Sequence, residues 1–157
     1  MTREEVLSEI QSRFGDVILD FFDKSAKRVY IELQPRALVP VARHLFGELG
    51  ARFHIASGLD SRTHLEVLYH FSVEALNLLV SLRVKLDKND PRVDSLASTF
   101  KAAAWIEREM HELLGIEFTG NQDLRRLLLS EEWPAGVYPL RRDYREWDPG
   151  AVRDRGV

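Results

Sequence analysis

The residue types best suited to chemistry crowd the stretch 107–129, where carboxylates, guanidinium groups and a histidine follow one another closely. Glu107 and Glu109 could in principle share general acid–base work. Residues two apart on a helix point to different sides, however, so the pair is unsuited to one reaction centre. A charged segment of this density predicts a docking surface instead.

Metal chemistry is the next possibility that the residue types raise. His111 and Glu112 begin the pattern of a zinc-binding helix, but Gly115 stands where the second histidine is required. His54 and His70 could meet on neighbouring strands, although a histidine on a half-buried strand is more often a hydrogen-bonded structural residue. The pattern favours a chain without a metal site.

Motifs and composition narrow the function further. The nucleophile elbow, the P-loop and the dinucleotide-binding glycine pattern are all absent from the sequence. The chain has 157 residues, of which 30% are charged, with a net charge of −3 and zero Cys. This balance disfavours a nucleic-acid partner, and the lack of Cys excludes disulfides and Cys-bound iron–sulfur clusters in this chain. A small hydrolase or metal enzyme would need a compact site that the sequence does not provide.

The chain carries no signal for export or membrane insertion. Its first residues are acidic, and no run approaches the ~20 apolar residues that span a bilayer. We therefore expect a cytoplasmic chain with no direct membrane span.

Apolar spacing predicts helices and strands in the order αββαβββα. Thr2 begins a capping-box pattern that opens the first helix, and a second helix would start at Pro35. The third helix, capped by Asp94 or Ser95, would run to Leu114. The predicted strands are residues 17–22 and 28–33, joined by a hairpin loop at 23–25, followed by residues 52–58, 64–72 and 76–86.

Helices interspersed among short strands favour an α+β two-layer sandwich. We expect a mixed β-sheet of about five strands with helices on one face. We assign residues 1–129 to this domain and residues 130–157 to an extended C-terminal tail that binds a partner.

The third helix has two distinct faces. Its core stripe is predicted to consist of Ala102, Ile106, Met110 and Leu113. The opposite side is either a solvated face with local ion pairs or a partner interface, and a large aromatic beside charges favours the interface. The residues on that side are Trp105, Arg108, Glu109 and Glu112.

The segment after Gly115 combines a short alternating run, which includes Phe118, with a return of helical spacing at residues 124–128. Arg125 and Arg126 belong to this stretch of helical spacing and are close in sequence to Asp123. Because Arg presents a planar fork suited to carboxylates, the pair would either orient the segment internally or clamp an acidic partner surface.

The tail is rich in aromatic residues and prolines but lacks a regular period, so it cannot build a core of its own. Such a segment is either loosely ordered or ordered by lying along another protein, where each aromatic fills a pocket. The tail residues that we expect at a partner are Trp133, Tyr138, Arg141, Arg142 and Tyr144, and Trp147 and Pro149 continue the same character.

The segment also resembles the signature of the 30 kDa (C) subunit family of respiratory complex I and of the related membrane-bound nickel–iron hydrogenases. That signature is Glu-Arg-Glu, an apolar pair, Gly-Ile/Val-x-Phe-x-Gly and then His-Pro-Asp-Leu-Arg. The chain departs from it at Asn121 and Gln122, where His-Pro is usual. The matching residues are Glu107, Arg108, Glu109, Leu113, Leu114, Gly115, Ile116, Phe118, Gly120, Asp123, Leu124 and Arg125.

The resemblance implies a subunit of a peripheral arm that itself holds no cofactor. It implies docking on the large, 49 kDa-like catalytic subunit and on iron–sulfur subunits, with iron–sulfur clusters, flavin or a nickel–iron centre in those partners. The chain would then lie at the cytoplasmic membrane as part of a complex. A free-standing protein-binding regulatory module is the alternative. The expected docking residues are Trp105, Glu107, Arg108, Glu109, Glu112, Phe118, Asp123, Arg125 and Arg126, together with the five tail residues named above.

Overall fold

The computed structural model describes residues 1–145. Three α-helices and seven strands alternate along this part of the chain. In order they are α1 (Arg3–Phe14), β1 (Ile18–Ser25), β2 (Arg28–Leu33), α2 (Leu38–Arg43), β3 (Arg52–Asp60), β4 (His64–Val73), β5 (Leu78–Asp87), β6 (Arg92–Asp94), α3 (Lys101–Leu114) and β7 (Glu117–Thr119). A 3₁₀ turn (Pro35–Ala37) precedes α2, a π-helical turn (His44–Glu48) follows it, and another 3₁₀ turn (Glu74–Leu76) precedes β5.

Five strands form one mixed sheet in the order β1-β2-β5-β4-β3. The β2–β5 pair is parallel and the other pairs are antiparallel. Along its centre Ile31 lies opposite Leu82, which lies opposite Tyr69, and all three side chains are buried. The mixed five-stranded sheet confirms the α+β class that the element order predicts.

The helices supply the second layer of the core. Thr2 caps α1 with the predicted capping box, since its hydroxyl accepts a hydrogen bond from the Glu5 N–H and its own N–H donates to the Glu5 carboxylate. Val6 and Ile10 of α1 and Val41 of α2 are buried in the same cluster as the sheet residues. The apolar faces of these helices therefore cover the sheet, as amphipathic spacing requires.

A close approach at β3 positions the third helix. A Cβ at Gly58 would lie 2.5 Å from Cδ1 of Leu114 and 3.2 Å from Sδ of Met110. Because only a glycine leaves this space free, α3 can pack directly on the strand. This contact sets the distance between the sheet and α3, which carries the charged residues.

The structure corrects three predicted features. The first hairpin turns at residues 26–27, not at 23–25, because β1 continues through Ser25. Neither Asp94 nor Ser95 caps α3: Asp94 ends β6, which pairs in parallel with β7, and the N-cap residue of α3 is Phe100. Residues 124–128 form no helix, since their backbone groups bind side chains of α3 instead.

Candidate partner-docking site

The buried stripe of α3 contains a carboxylate. Ala103, Glu107, Met110 and Leu114 are buried, whereas Ala102, which we predicted in the core stripe, is exposed. Met110 is buried as predicted and Ile106 packs against the core, so the prediction is wrong at Ala102, where Ala103 faces inward instead. Residues spaced i, i+4, i+7 and i+11 share one helix face, and that face includes Glu107.

Glu107 is 0% exposed and hydrogen-bonded on both oxygens. Oε1 accepts from the Leu96 N–H at 2.8 Å and the Tyr69 hydroxyl at 3.2 Å, while Oε2 accepts from the Ser95 hydroxyl at 2.5 Å and Asn121 Nδ2 at 2.9 Å. Burial raises the pKa of Glu107, against the lowering effect of these donors. The carboxylate therefore joins α3 to β4, to the segment before α3 and to the turn after β7.

This burial corrects the expectation that Glu107 contacts a partner. Phe118 is also buried, as the central residue of β7. Both residues act inside the domain. Sequence reasoning missed the donors Tyr69, Ser95 and Asn121, although the four-residue stripe on α3 carried the signal that Glu107 faces inward.

The turn after β7 shows how the chain accommodates its departure from the family signature. Gly120 adopts a positive φ of 92°, and Asn121 stands where His is usual. The Asn121 amide donates to Glu107, and its Oδ1 accepts from the Asp123 N–H at 3.0 Å. Asn121 thus provides both an N–H donor and a local Asx-type turn.

Two other charged residues of α3 hold the segment that follows this turn. The Glu112 carboxylate, which is buried, accepts from the N–H groups of Leu127 at 2.9 Å, Leu128 at 2.5 Å and Leu129 at 3.3 Å. Arg108 donates from Nε and Nη2 to the carbonyls of residues 125 and 126, at 3.0 and 2.8 Å. The predicted outward role of Glu112 is therefore corrected, and this side of α3 serves as an internal anchor.

Arg125 and Arg126 also have internal partners. Arg125 binds Asp123 with two hydrogen bonds, at 2.8 and 2.9 Å, and holds the pKa of that carboxyl well below its usual range. Arg126 donates to the carbonyls of Ser130 and Trp133. Of the two alternatives that the sequence left open, internal orientation is thus present in the structure.

Residues 130–145 lie on the domain's own surface without forming a helix or strand. Tyr138 fits against Gly115, whose φ is +74° and where a Cβ would lie 2.5 Å from the Tyr138 ring. The Leu140 N–H donates to the Leu113 carbonyl at 3.0 Å, and the Arg142 N–H donates to Asp60 at 2.7 Å. This part of the tail therefore lies along the domain itself, an arrangement that neither alternative drawn from the sequence included.

Further contacts within the tail involve its remaining predicted docking residues. Trp133 stacks on Tyr144, with ring centroids 6.1 Å apart, and Arg141 stacks on Tyr138 at 5.5 Å while donating to the Leu114 carbonyl. The rest of the predicted tail, including Trp147 and Pro149, lies outside the described residues.

What remains exposed beside this anchored segment is a small apolar and basic surface. Trp105 and Leu128 are each 62% exposed, and the Arg125 side chain is 82% exposed. Arg108 lies 5.1 Å from the Trp105 ring, in a cation–π contact. A groove of about 490 Å³ adjoins them, lined by Arg108, Arg125, Arg126 and Glu131. We call Trp105, Leu128, Arg125 and this groove the docking surface.

Catalytic and metal-binding arrangements are not evident in residues 1–145. This part of the chain contains no cluster of three His, Cys, Asp or Glu side chains placed to hold a metal ion. His54 and His70 bind Ser72 and Ser81, at 2.7 and 2.8 Å, so they act as hydrogen-bonded strand residues. Among the same residues, no helix combines the length and apolar character needed to cross a bilayer.

A family model agrees with the fold and the anchored segment. The model described as "Respiratory-chain NADH dehydrogenase, 30 Kd subunit" matches residues 31–148. The chain belongs to this family. The match extends well upstream of the signature residues at 107–125, to the sheet that carries α3.

Individual relatives support the same placement. The chain is 31% identical over 144 residues to the C subunit of the NADH-quinone oxidoreductase of Roseiflexus castenholzii, covering 88% of this chain and 81% of that one. It is 30% identical over 144 residues to formate hydrogenlyase subunit 5 of Escherichia coli (strain K12), covering 89% of this chain. The chain spans only about a quarter of the length of that second relative, 25%.

A solved structure gives the fold. A chain of the membrane-bound sulfane sulfur reductase, an archaeal respiratory membrane complex, superposes with a TM-score of 0.79 over 92% of this chain and 86% of that chain. The identity is 19%, so this likeness concerns the fold alone. Relatives of this chain are thus named as an NADH-quinone oxidoreductase subunit, a formate hydrogenlyase subunit and a hydrogenase-4 component.

Proposed function

We propose that this chain is a non-catalytic peripheral-arm subunit of a complex I-type NADH:quinone oxidoreductase or a related membrane-bound hydrogenase. Its role is to dock on the large catalytic subunit, to support assembly and to keep the electron-carrying subunits in position. The observation that carries the proposal is the docking surface. Its exposed Trp105 belongs to α3, and its exposed Arg125 lies on the segment that Glu112 and Arg108 fix to that helix.

The chemistry of this surface fits an acidic protein partner. Three arginines and one glutamate line its groove, so the groove carries an excess of positive charge. Tryptophan and arginine are the residues most often found at binding hot spots, and a prefixed backbone lowers the entropy lost on binding. A rigid, basic and aromatic surface therefore suits a stable contact with a carboxylate-bearing face of another subunit.

The lengths of the relatives point to the large subunit as that partner. The region similar to this chain makes up a quarter of formate hydrogenlyase subunit 5 but most of the separate Roseiflexus subunit. A unit that occurs both inside a longer chain and alone is expected to lie against the same neighbour in both cases. In this proposal the partners hold the iron–sulfur clusters and the flavin or nickel–iron centre, and the complex lies on the cytoplasmic side of the membrane.

The test is co-purification of the tagged full chain from its own host in mild detergent. Arg125→Ala should reduce the yield of bound partner subunits, because it removes an exposed cation of the docking surface. Arg92→Ala is the matched control: Arg92 also pairs with an Asp two residues before it, at 2.7 Å, and is 70% exposed, but it lies outside that surface. Equal recovery of partners by both variants would contradict the assignment.

The composition of the recovered assembly tests the rest of the proposal. Nickel with iron would indicate the hydrogenase branch, while iron with quinone reductase activity and no nickel would indicate the complex I branch. Recovery of the wild-type chain alone would favour a free-standing binding module and overturn the proposed role.

A further inference from the structure

A second cleft lies at one end of the sheet, where β2 and β5 begin, β3 begins and β4 ends. Its volume is about 460 Å³, within the range of sites for small ligands. The lining residues are Lys27, Arg28, His54, Ser72, Glu74, Asn77, Leu78 and Leu79. None of them belongs to the docking surface.

Two adjacent cations in this cleft are unpaired. Within residues 1–145, neither the Lys27 nor the Arg28 side chain has a carboxylate at ion-pair distance. The one acidic residue of the lining, Glu74, pairs with Arg52 at 3.2 Å. Of the other lysine and arginine side chains in residues 1–145, half have an acidic partner, among them Arg3–Asp23, Arg13–Glu48, Arg83–Glu66, Lys85–Glu32, Lys88–Asp60, Arg92–Asp90 and Arg125–Asp123.

This positive charge acts on a neighbouring strand residue. Burial lowers the pKa of His70, and the charges of Arg28 and His54 lower it further. Arg28 itself lines the cleft and is exposed. In a chain of net charge −3, this is a local concentration of positive charge.

The rim of the cleft also carries neutral hydrogen-bonding groups held in fixed positions. The His54 ring binds the Ser72 hydroxyl at 2.7 Å. Asn77 has a left-handed backbone (φ 49°), and its N–H donates to the Glu74 carbonyl at 3.0 Å, closing the turn that starts β5. Asn77 lines the same cleft as the two cations.

We propose that this cleft binds a small ligand that carries one or two oxyanion groups, either phosphates or carboxylates. Arg28 offers a planar fork of N–H donors and Lys27 a point charge, the pairing that proteins use for both groups. Leu79, which is only partly buried, supplies an apolar surface for the carbon part of such a ligand, whereas the Leu78 side chain belongs to the core. The cleft is larger than one phosphate needs, which favours a dianionic molecule over a single inorganic ion.

The test is a titration of the full chain followed by proton–nitrogen correlation NMR. Pyrophosphate and succinate serve as the phosphate and carboxylate probes, each at constant ionic strength and neutral pH, up to roughly 10 mM so that a dissociation constant near 1 mM is detected. Saturable shifts of the Arg28, His54 and Asn77 amides are expected with at least one probe. The probe that binds more tightly identifies the oxyanion.

Variants separate this site from general charge attraction. Arg28→Gln should weaken binding at least about tenfold, because it removes a charge-assisted hydrogen bond, and Lys27→Gln should weaken it less. Arg62→Gln is the control: Arg62 is exposed in the turn between β3 and β4, at the other end of the sheet. Absence of saturable shifts with both probes would overturn the proposal, as would equal weakening by Arg28→Gln and Arg62→Gln.

Discussion

Replacing Glu107 by Ala tests the buried carboxylate as the main polar link of the domain. The change leaves the Leu96 N–H and the hydroxyls of Tyr69 and Ser95 buried without their acceptor. An unpaired buried donor costs ~1–3 kcal/mol, and we take the lower end because truncation also relieves the cost of burying the carboxylate. Three donors at ~1 kcal/mol give a loss of about 3 kcal/mol in the free energy of unfolding.

The assay is urea denaturation of the isolated chain, supported by thermal melting. A loss of about 3 kcal/mol in a domain of this size lowers Tm by roughly 6–12 °C. Glu109→Ala is the matched control, because it makes the same substitution in the same helix at a residue with no hydrogen-bonded partner within residues 1–145. That control should change stability by less than about 0.5 kcal/mol. A Glu107→Ala cost below about 1 kcal/mol would refute the reasoning.

Two further predictions concern the tail. Gly115→Ala should destabilise the chain and speed proteolysis after residue 138, because φ is +74° and the new Cβ meets Tyr138. Gly120→Ala is the matched control: φ is +92° there, but no atom lies within 4 Å of the position that a Cβ would take, so the substitution adds backbone strain alone. Equal effects of the two substitutions would contradict the contact between Gly115 and Tyr138. Burial works to raise the pKa of Asp60, but its ion pair with Lys88 and the hydrogen bond from the Arg142 N–H outweigh this and leave the pKa lowered. The stabilisation from Asp60 is therefore present above the pKa of an unfolded Asp and lost as pH falls through the folded pKa. Urea titrations of wild type and Asp60→Asn should converge in acid, and a gap independent of pH would count against this linkage.

Local signals were enough to predict the scaffold. The capping box at Thr2 and Glu5 depends on residues three apart, and the stop at Gly115 depends on one left-handed residue. The long strands also carry their own alternation. Each of these features depends on a few neighbouring residues, so it can be predicted from a single sequence.

Pairing between distant short segments was not predictable in the same way. Strands β6 and β7 come before and after α3 in the sequence, although they pair with each other. Each has only three residues, too few to show an alternating pattern. The shifted hairpin turn has a similar cause, because residues 23–25 have the composition of a loop but Asp23 and Ser25 pair with Val29 and Arg28 of β2. Tertiary contacts override weak local preference at such positions.

The sequence predicted that the charged residues of α3 face a partner, but it did not predict which of them face into the domain. A charged residue on a helix is ordinarily read as outward, and this is why Glu107 and Glu112 were assigned to the partner. In the structure each carboxylate accepts several hydrogen bonds from groups inside the domain. Only the spacing of Glu107 with Ala103 and Met110 could have revealed the difference.

Because Glu112 and Arg108 bind groups inside the domain, the charged face of α3 has a structural role that exposed ion pairs lack. An exposed pair contributes little, but Glu112 and Arg108 bind backbone groups of an irregular segment whose N–H and C=O groups have no helix or sheet to satisfy them. Holding that backbone fixes where Arg125 and Leu128 stand relative to Trp105. In the proposed complex the charges of α3 therefore act indirectly: they position the exposed side chains, and those side chains are the ones that we expect to contact the partner.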